Sequence, residues 1–294
     1  MKNNKTTIYL ASLLLILSSC KQDQVVEPTP PKKGCTLSVL KQFDGFDLST
    51  LGGNLYKESQ LSYENKNLKE VINFTRGTKD LIRRVATIDG LVKSVSFYDS
   101  NEILKIRYSF NYAANSKRIE SAEVRYDNIS PAVTEGYLFT YNQENKVSEL
   151  KLYSNNLFLE KIKYFYSIDQ GKQVIKTETY EVSTANPNHH YLSSKDEYHY
   201  DDKHTGEIHP AFAINLYHQT RLDLLLPDSR NNIINYYHYH NTAEVNEVPV
   251  LKLSQSVSFD RTITYNKEEY PIKIVENRLN GYKLEYGLTY SDCK

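Results

Sequence analysis

FDRTITYNKEEYPIKIVENRLNGYKLEYGLTY, residues 259–290, reads as three strands separated by polar turns. In the last strand Tyr282, Leu284, Tyr286, Leu288 and Tyr290 share one face, while Lys283, Glu285, Gly287 and Thr289 share the other. Successive side chains of an extended chain point to opposite sides of the pleat, so this period of two marks a half-buried β-strand. Variants of the unit recur upstream. Leu104, Ile106, Tyr108, Phe110 and Tyr112 alternate with Lys105, Arg107, Ser109 and Asn111. Asp89-Gly90, between Leu81–Ile88 and Leu91–Tyr98, is a two-residue hairpin signal. Further strands are expected at Thr36–Phe43, Leu55–Tyr63, Leu68–Phe74, Ile119–Tyr126, Gly136–Tyr141, Val147–Tyr153, Leu159–Tyr166, Val174–Val182, Ser194–Tyr200 and Ile233–His240. The fold class is all-β: a large antiparallel β-meander, strongly twisted and able to roll toward a barrel.

Composition agrees with that class. Tyr occurs 25 times in 294 residues, whereas Trp is absent and Gly occurs only 11 times, so turns fall to Asn, Asp, Lys and Glu. Basic and acidic residues balance at 36 each. Residues 1–19 carry Lys2 and Lys5 and no acid, so the remainder has a slight acidic excess. That balance excludes a dedicated nucleic-acid binder, whose affinity comes from clustered basic residues.

The first residues have their own logic. Lys2 and Lys5 precede an apolar run, Ile8–Leu17, too short to span a bilayer, which ends in Leu17-Ser18-Ser19-Cys20. This resembles a bacterial lipoprotein signal, which implies cleavage after residue 19 and acylation of Cys20. Lys21–Lys33, with Pro28, Pro30 and Pro31, reads as an extended tether from residue 20 to residue 34. The expected organisation is a signal peptide (1–19), this tether, and one β-domain (35–294). The expected location is the outer membrane, on its periplasmic or cell-surface side. Cys35 and Cys293 then remain, one at each end of the folded part. A disulfide between them would contribute on the order of 5 kcal/mol in the chain-entropy model. It requires the two ends of the sheet to meet, with Cα atoms within roughly 7 Å.

An apolar patch, Pro210–Leu226, breaks the alternation; Gly206–Asn232 is read as an insertion, with a short helix starting at Pro210. Around it lie Tyr198-His199-Tyr200-Asp201-Asp202-Lys203, then Ser229-Arg230-Asn231-Asn232 before a Tyr-rich strand, and later Thr264-Tyr265-Asn266 with a closing Tyr-x-Tyr strand. These motifs resemble the Tyr-rich β-repeat lipoproteins of Bacteroidota grouped around domain of unknown function 4595. Where such proteins often carry Pro and Asn after the Asp-Asp-Lys turn, this chain has His204-Thr205-Gly206. The resemblance implies an all-β domain behind a lipoprotein signal and supplies no catalytic residues.

Chemistry is sparsely signalled. No phosphate loop, nucleophile elbow or His-Glu-x-x-His motif is present, and no cofactor is expected. All eight histidines fall in residues 189–240. His238 and His240 share a strand face, and His199 on a neighbouring strand would complete a candidate metal site for a metal-binding protein or metal-dependent hydrolase. Tyr236 and Tyr237 must direct one ring to each face, and the outward ring is the candidate ligand-binding group. The favoured reading is a non-catalytic, lipid-anchored envelope module for a glycan or protein partner. A transmembrane barrel would require the apolar face to point outward to lipid.

Overall fold

The computed structural model describes residues 36–44, 54–65, 67–127, 133–167, 173–183, 189–204, 231–243 and 247–291. The regular structure of these residues is seventeen strands. They are β1 (Thr36–Asp44), β2 (Asn54–Glu64), β3 (Asn67–Thr75), β4 (Thr78–Ile88), β5 (Leu91–Asp99) and β6 (Leu104–Tyr112). β7 (Ile119–Tyr126), β8 (Val133–Tyr141), β9 (Val147–Ser154), β10 (Leu157–Tyr166), β11 (Val174–Val182) and β12 (His190–His204) follow. The last are β13 (Asn231–Asn241), β14 (Leu251–Leu253), β15 (Phe259–Tyr265), β16 (Pro271–Arg278) and β17 (Lys283–Ser291).

Consecutive strands pair antiparallel from β1 to β14 and from β15 to β17, β15 also pairs with β13, and β1 pairs with both β2 and β17, so the sheet closes. Beside β13, the short β14 covers Tyr239–Asn241 while β15 covers Asn235 and Tyr236. These two share one place, giving a closed barrel of sixteen strand positions. The expected meander is therefore a barrel. β12 runs longer at both ends than the alternation suggested, and Asn231 and Asn232, expected in the insertion, open β13. Residues 205–230, the tether, the signal peptide and Cys20 lie outside the described residues, as do Cys35 and Cys293.

Alternation sorts the side chains. In β17 Leu284, Tyr286 and Leu288 are buried, and in β9 Leu150 and Leu152 are. Register joins such residues into rows across strands; one runs Leu61, Val71, Arg83, Phe97, Ile106, Tyr126 over β2 to β7. These rows merge into one apolar cluster drawn from β1, β3, β5 to β11, β16 and β17. Full burial of a Leu, Val or aromatic side chain contributes about 1.5–3 kcal/mol, so this inner lining dominates stability. The opposite face carries Lys105 and Arg107 on β6, Lys161 and Lys163 on β10, and the Lys273–Glu285 ion pair, 2.9 Å, across β16 and β17. Charges at mid-strand occupy the positions that a membrane-spanning barrel gives to lipid-facing apolar residues. The polarity is inside-apolar.

The turns explain the low glycine content. Arg76-Gly77, Asp89-Gly90 and Asn155-Asn156 are two-residue loops with both φ values positive, the backbone that matches strand twist in a hairpin. Longer turns are organised by a side-chain oxygen. Asn142 Oδ1 accepts the N–H groups of Glu144 and Lys146, Asn266 Oδ1 those of Glu268 and Tyr270, and Asp99 Oδ1 those of Asn101 and Ile103. Such side-chain acceptors imitate a backbone turn and hold the chain where Gly would otherwise be needed.

One rim of the barrel carries a tyrosine ring. Near the end of the second strand of a hairpin, a phenol donates to a carbonyl at the start of the first. The pairs are Tyr63 to Leu37, Tyr112 to Val92, Tyr141 to Ile119, Tyr166 to Val147, Tyr200 to Val174 and Tyr290 to Pro271, all at 2.7–2.8 Å. Register links one unit to the next, because Tyr112 pairs with Ile119, Tyr141 with Val147, Tyr166 with Val174 and Tyr290 with Leu37. In three units the base beside the acceptor covers the ring: Lys93 over Tyr112, Arg118 over Tyr141 and Lys146 over Tyr166. Tyr270 packs against Tyr290 in the equivalent place.

Two of the eight hairpins depart. Tyr265 on β15 turns its hydroxyl to Asp201 and Asn232, while Arg261 donates to the Ile233 carbonyl. On β4 the position is Thr87, which pairs with Val92 as Tyr63 pairs with Leu68. The Thr87 hydroxyl is buried without a hydrogen-bond partner. It is too short to cross the hairpin as a phenol does.

Tyr141→Phe is expected to lower stability by about 1 kcal/mol, the net value of one such bond, measured by urea denaturation. An unchanged midpoint would show that the hydroxyl is dispensable. Burial pushes the Tyr63 hydroxyl up to about 12, and raises those of Tyr112, Tyr141, Tyr166, Tyr200 and Tyr290. The unfolded chain releases these protons near pH 10, before the folded one does, so stability falls as pH rises above about 10. Absorbance at alkaline pH should show phenol ionisation coinciding with unfolding. The partners Thr36 and Ser291, adjacent in sequence to the segments holding Cys35 and Cys293, face each other in register. With pairing of the two cysteines, the non-reduced intact mass falls two hydrogens short of the reduced chain; two titratable thiols there would refute it.

Candidate functional site

β11, β12, β13 and β15 carry a continuous polar and aromatic outward surface. Their outward row begins at Lys195, Glu197 and His199 on β12 and Asn235, Tyr237 and Tyr239 on β13. Asp260 on β15 accepts from Asn235 Nδ2 at 2.7 Å and from the Tyr237 hydroxyl at 3.1 Å. Glu197 accepts from the Tyr239 hydroxyl at 3.3 Å and pairs with Lys195 at 2.7 Å. Further along, Glu178 holds Lys176 at 2.8 Å and the Tyr180 hydroxyl at 2.9 Å. Burial pushes the Tyr180 phenol up to about 12, with the Glu178 carboxylate adding to the shift; desolvation and its carboxylate partner likewise raise Tyr237 and Tyr239. These phenols stay protonated and donate.

Ring faces on this surface differ. Lys195 lies over Tyr239 at 4.4 Å, Lys161 and Lys163 over Tyr180, and Lys176 over Phe165. Tyr237 instead meets the exposed His199 edge to face, with centroids 5.8 Å apart. Fixed carboxylates beside aromatic rings on one outward surface suit a ligand with both C–H faces and hydroxyl groups.

The inward side of the same strands is built differently. Asp196 accepts from the Tyr236 hydroxyl at 2.7 Å and from Thr177 Oγ1 at 2.9 Å, and lies 2.7 Å from His238 Nδ1. The His238 backbone N–H donates to Ser258 Oγ, and the Tyr236 ring packs between Tyr198 and Phe259. Elsewhere inside, Glu276, fully buried, takes Arg261 and Arg278 together, and Glu135 accepts from Tyr126 and Tyr137. Buried polar groups survive when paired in this way.

The structure thus separates the residues singled out in the sequence. His238 and His240 lie on one face of β13, but His199 lies on the opposite face of the neighbouring strand, so the three do not converge. Among the described residues no group of three or more His, Cys, Asp or Glu side chains is placed to hold a metal ion. Tyr236 points inward and Tyr237 outward. The motifs around the insertion do meet. Asp201 accepts the N–H groups of Lys203 and Asn232, the Asn232 amide and the Tyr265 hydroxyl. It clamps the end of β12 to the start of β13. Sequence reasoning missed Asp196 and Asp260, whose role depends on cross-strand register.

No family model matches the chain, and no curated protein matches it in sequence. Solved structures do match in fold. A porin-like protein from Bacteroides vulgatus superposes with a TM-score of 0.50 at 11% identity, covering 87% of this chain and 99% of its own. A porin-like protein from Bacteroides uniformis covers 90% of this chain and all of its own, with a TM-score of 0.47 at 12% identity.

Proposed function

We propose that this protein is a lipid-anchored module of the bacterial cell envelope, non-catalytic, that binds a glycan on the outward face of β11–β15. Cys20 carries the lipid, and the chain belongs with the Tyr-rich β-repeat lipoproteins that its motifs resemble. The observation that carries the binding reading is the outward row of Tyr237, Asp260 and Asn235, with Tyr239 and Glu197 beside it. A sugar ring presents an apolar C–H face and a rim of hydroxyls. Tyr237 offers a ring beside His199, and carboxylates already oriented by phenols accept from sugar hydroxyls. The lysine-covered rings around it exchange a contact worth about 0.5–1 kcal/mol at an exposed site, so they yield readily. The fold likeness to a porin-like protein from Bacteroides vulgatus fits an envelope setting.

An array of envelope and dietary polysaccharides tests the reading. Tyr237→Ala is expected to weaken binding about tenfold, from the loss of about 1.5 kcal/mol of stacking, with the barrel still folded. Retained binding in Tyr237→Ala, or an array with no bound glycan, refutes the site.

A further inference from the structure

A cavity lies on the outward face of β2 and β3, apart from the surface of β11–β15. Its volume is about 250 Å³, and Glu58, Gln60, Phe74, Arg76 and Gly77 line it. Glu58 and Gln60 share the outward side of β2, whereas Leu61, of opposite parity, joins the apolar interior. Phe74 stands opposite Glu58 in register, and the Arg76-Gly77 loop follows it. Gln60 Nε2 donates to Glu58 Oε1 at 2.8 Å, and Lys41 Nζ on β1 lies 3.7 Å from Glu58 Oε2, so this carboxylate is oriented from two sides. Beside the loop there is room: a Cβ added at Gly77 would meet nothing within 4 Å.

Arg76 is out of place as a turn residue. It opens its two-residue loop at φ 49°, where the corresponding loops open with Asp89 at φ 53° and Asn155 at φ 49°. Asp and Asn tolerate the left-handed region, whereas a long side chain has no local hydrogen bond to offset the crowding of its Cβ. The turn itself gains nothing from arginine. The guanidinium lies 5.9 Å from the Tyr56 ring, and among the described residues no carboxylate pairs with it. One hairpin thus joins an unpaired cation, an aromatic ring, an oriented carboxylate and an amide around one cavity. We propose that this cavity binds an acidic sugar, a single hexuronate unit. Its carboxylate pairs with Arg76, its C–H face lies on Phe74, and its hydroxyls donate to Glu58 and to the Gln60 amide oxygen. A guanidinium meets a carboxylate through parallel charge-assisted hydrogen bonds, and an aromatic ring packs on apolar C–H groups. A neutral sugar leaves Arg76 unused, and a simple anion leaves Phe74 and Glu58 unused. Pockets for drug-sized ligands run to roughly 300–1,000 Å³, so this smaller one suits one sugar ring. The inference does not rest on the glycan reading of β11–β15.

Sodium D-glucuronate is the probe, with D-glucose as the neutral control and acetate as the simple-anion control. Isothermal titration calorimetry and saturation-transfer NMR read binding to the full chain. Glucuronate is expected to bind, with D-glucose and acetate each at least about tenfold weaker, the value of the charge-assisted pair they lack or of the ring and hydroxyl contacts. Arg76→Asn suits the left-handed turn, so it should keep or raise the melting temperature while weakening glucuronate about tenfold or more. Phe74→Leu keeps apolar bulk without the ring and should weaken glucuronate about fivefold. No binding to the wild-type chain, equal binding of glucuronate and either control, or unchanged affinity in either variant overturns the proposal. A lower melting temperature in Arg76→Asn also counts against it, since that outcome assigns Arg76 a structural role.

Discussion

Closing a sheet of sixteen positions leaves a rim where strands begin and end, and backbone carbonyls there fall outside the regular ladder. A buried carbonyl without a donor costs about as much as a hydrogen bond lost, so the rim needs donors that reach across a hairpin from inside. The phenol of tyrosine has the length, the apolar body and the terminal hydroxyl for this. Six hairpins use it in the same way. Part of the 25-residue tyrosine content is thereby accounted for by a repeated hydrogen bond rather than by ligand recognition. The hydroxyl distinguishes these positions from phenylalanine, which would fill the space and leave the carbonyl bare.

The rest of the molecule follows from which face is dry. Aliphatic and tyrosine side chains line the inside and lysine, arginine and glutamate the outside. Three interior acids are met by side-chain donors: Glu276 by two guanidinium groups, Glu135 by two phenols, Asp196 by Tyr236, Thr177 and His238. Outside, Asp260 and Glu197 are likewise oriented by phenols but stay accessible.

Much of the fold was legible as a period of two. The face assignments of β6 and β17, the Asp89-Gly90 turn and the limits of β7 and β11 follow from alternation and turn chemistry alone. Closure was not, because a one-dimensional pattern records which face is dry and is silent on whether the first strand meets the last. β14, three residues long, carries too little pattern to register. The Arg76-Gly77 loop was hidden because charged residues of β4, Lys79 and Asp80, look like turn. β12 outran its alternation because the register shifts around Tyr200 while Asp201 holds the chain to Asn232. The site was least legible. Alternation placed Tyr236 and Tyr237 on opposite faces, yet whether His199 joins His238 depends on the parity of two strands relative to each other, which pairing alone decides. The Asp201, Asn232 and Tyr265 cluster was visible as a motif and became a contact only in three dimensions.

β14 and β15 occupy one place beside β13. A ring whose neighbours all run in opposite directions holds an even number of places, just as a closed chain of alternating colours does. Seventeen segments satisfy that rule only because two of them stand end to end. Growth or loss in this architecture therefore proceeds by whole hairpins. A lone extra segment survives by sharing a neighbour's flank.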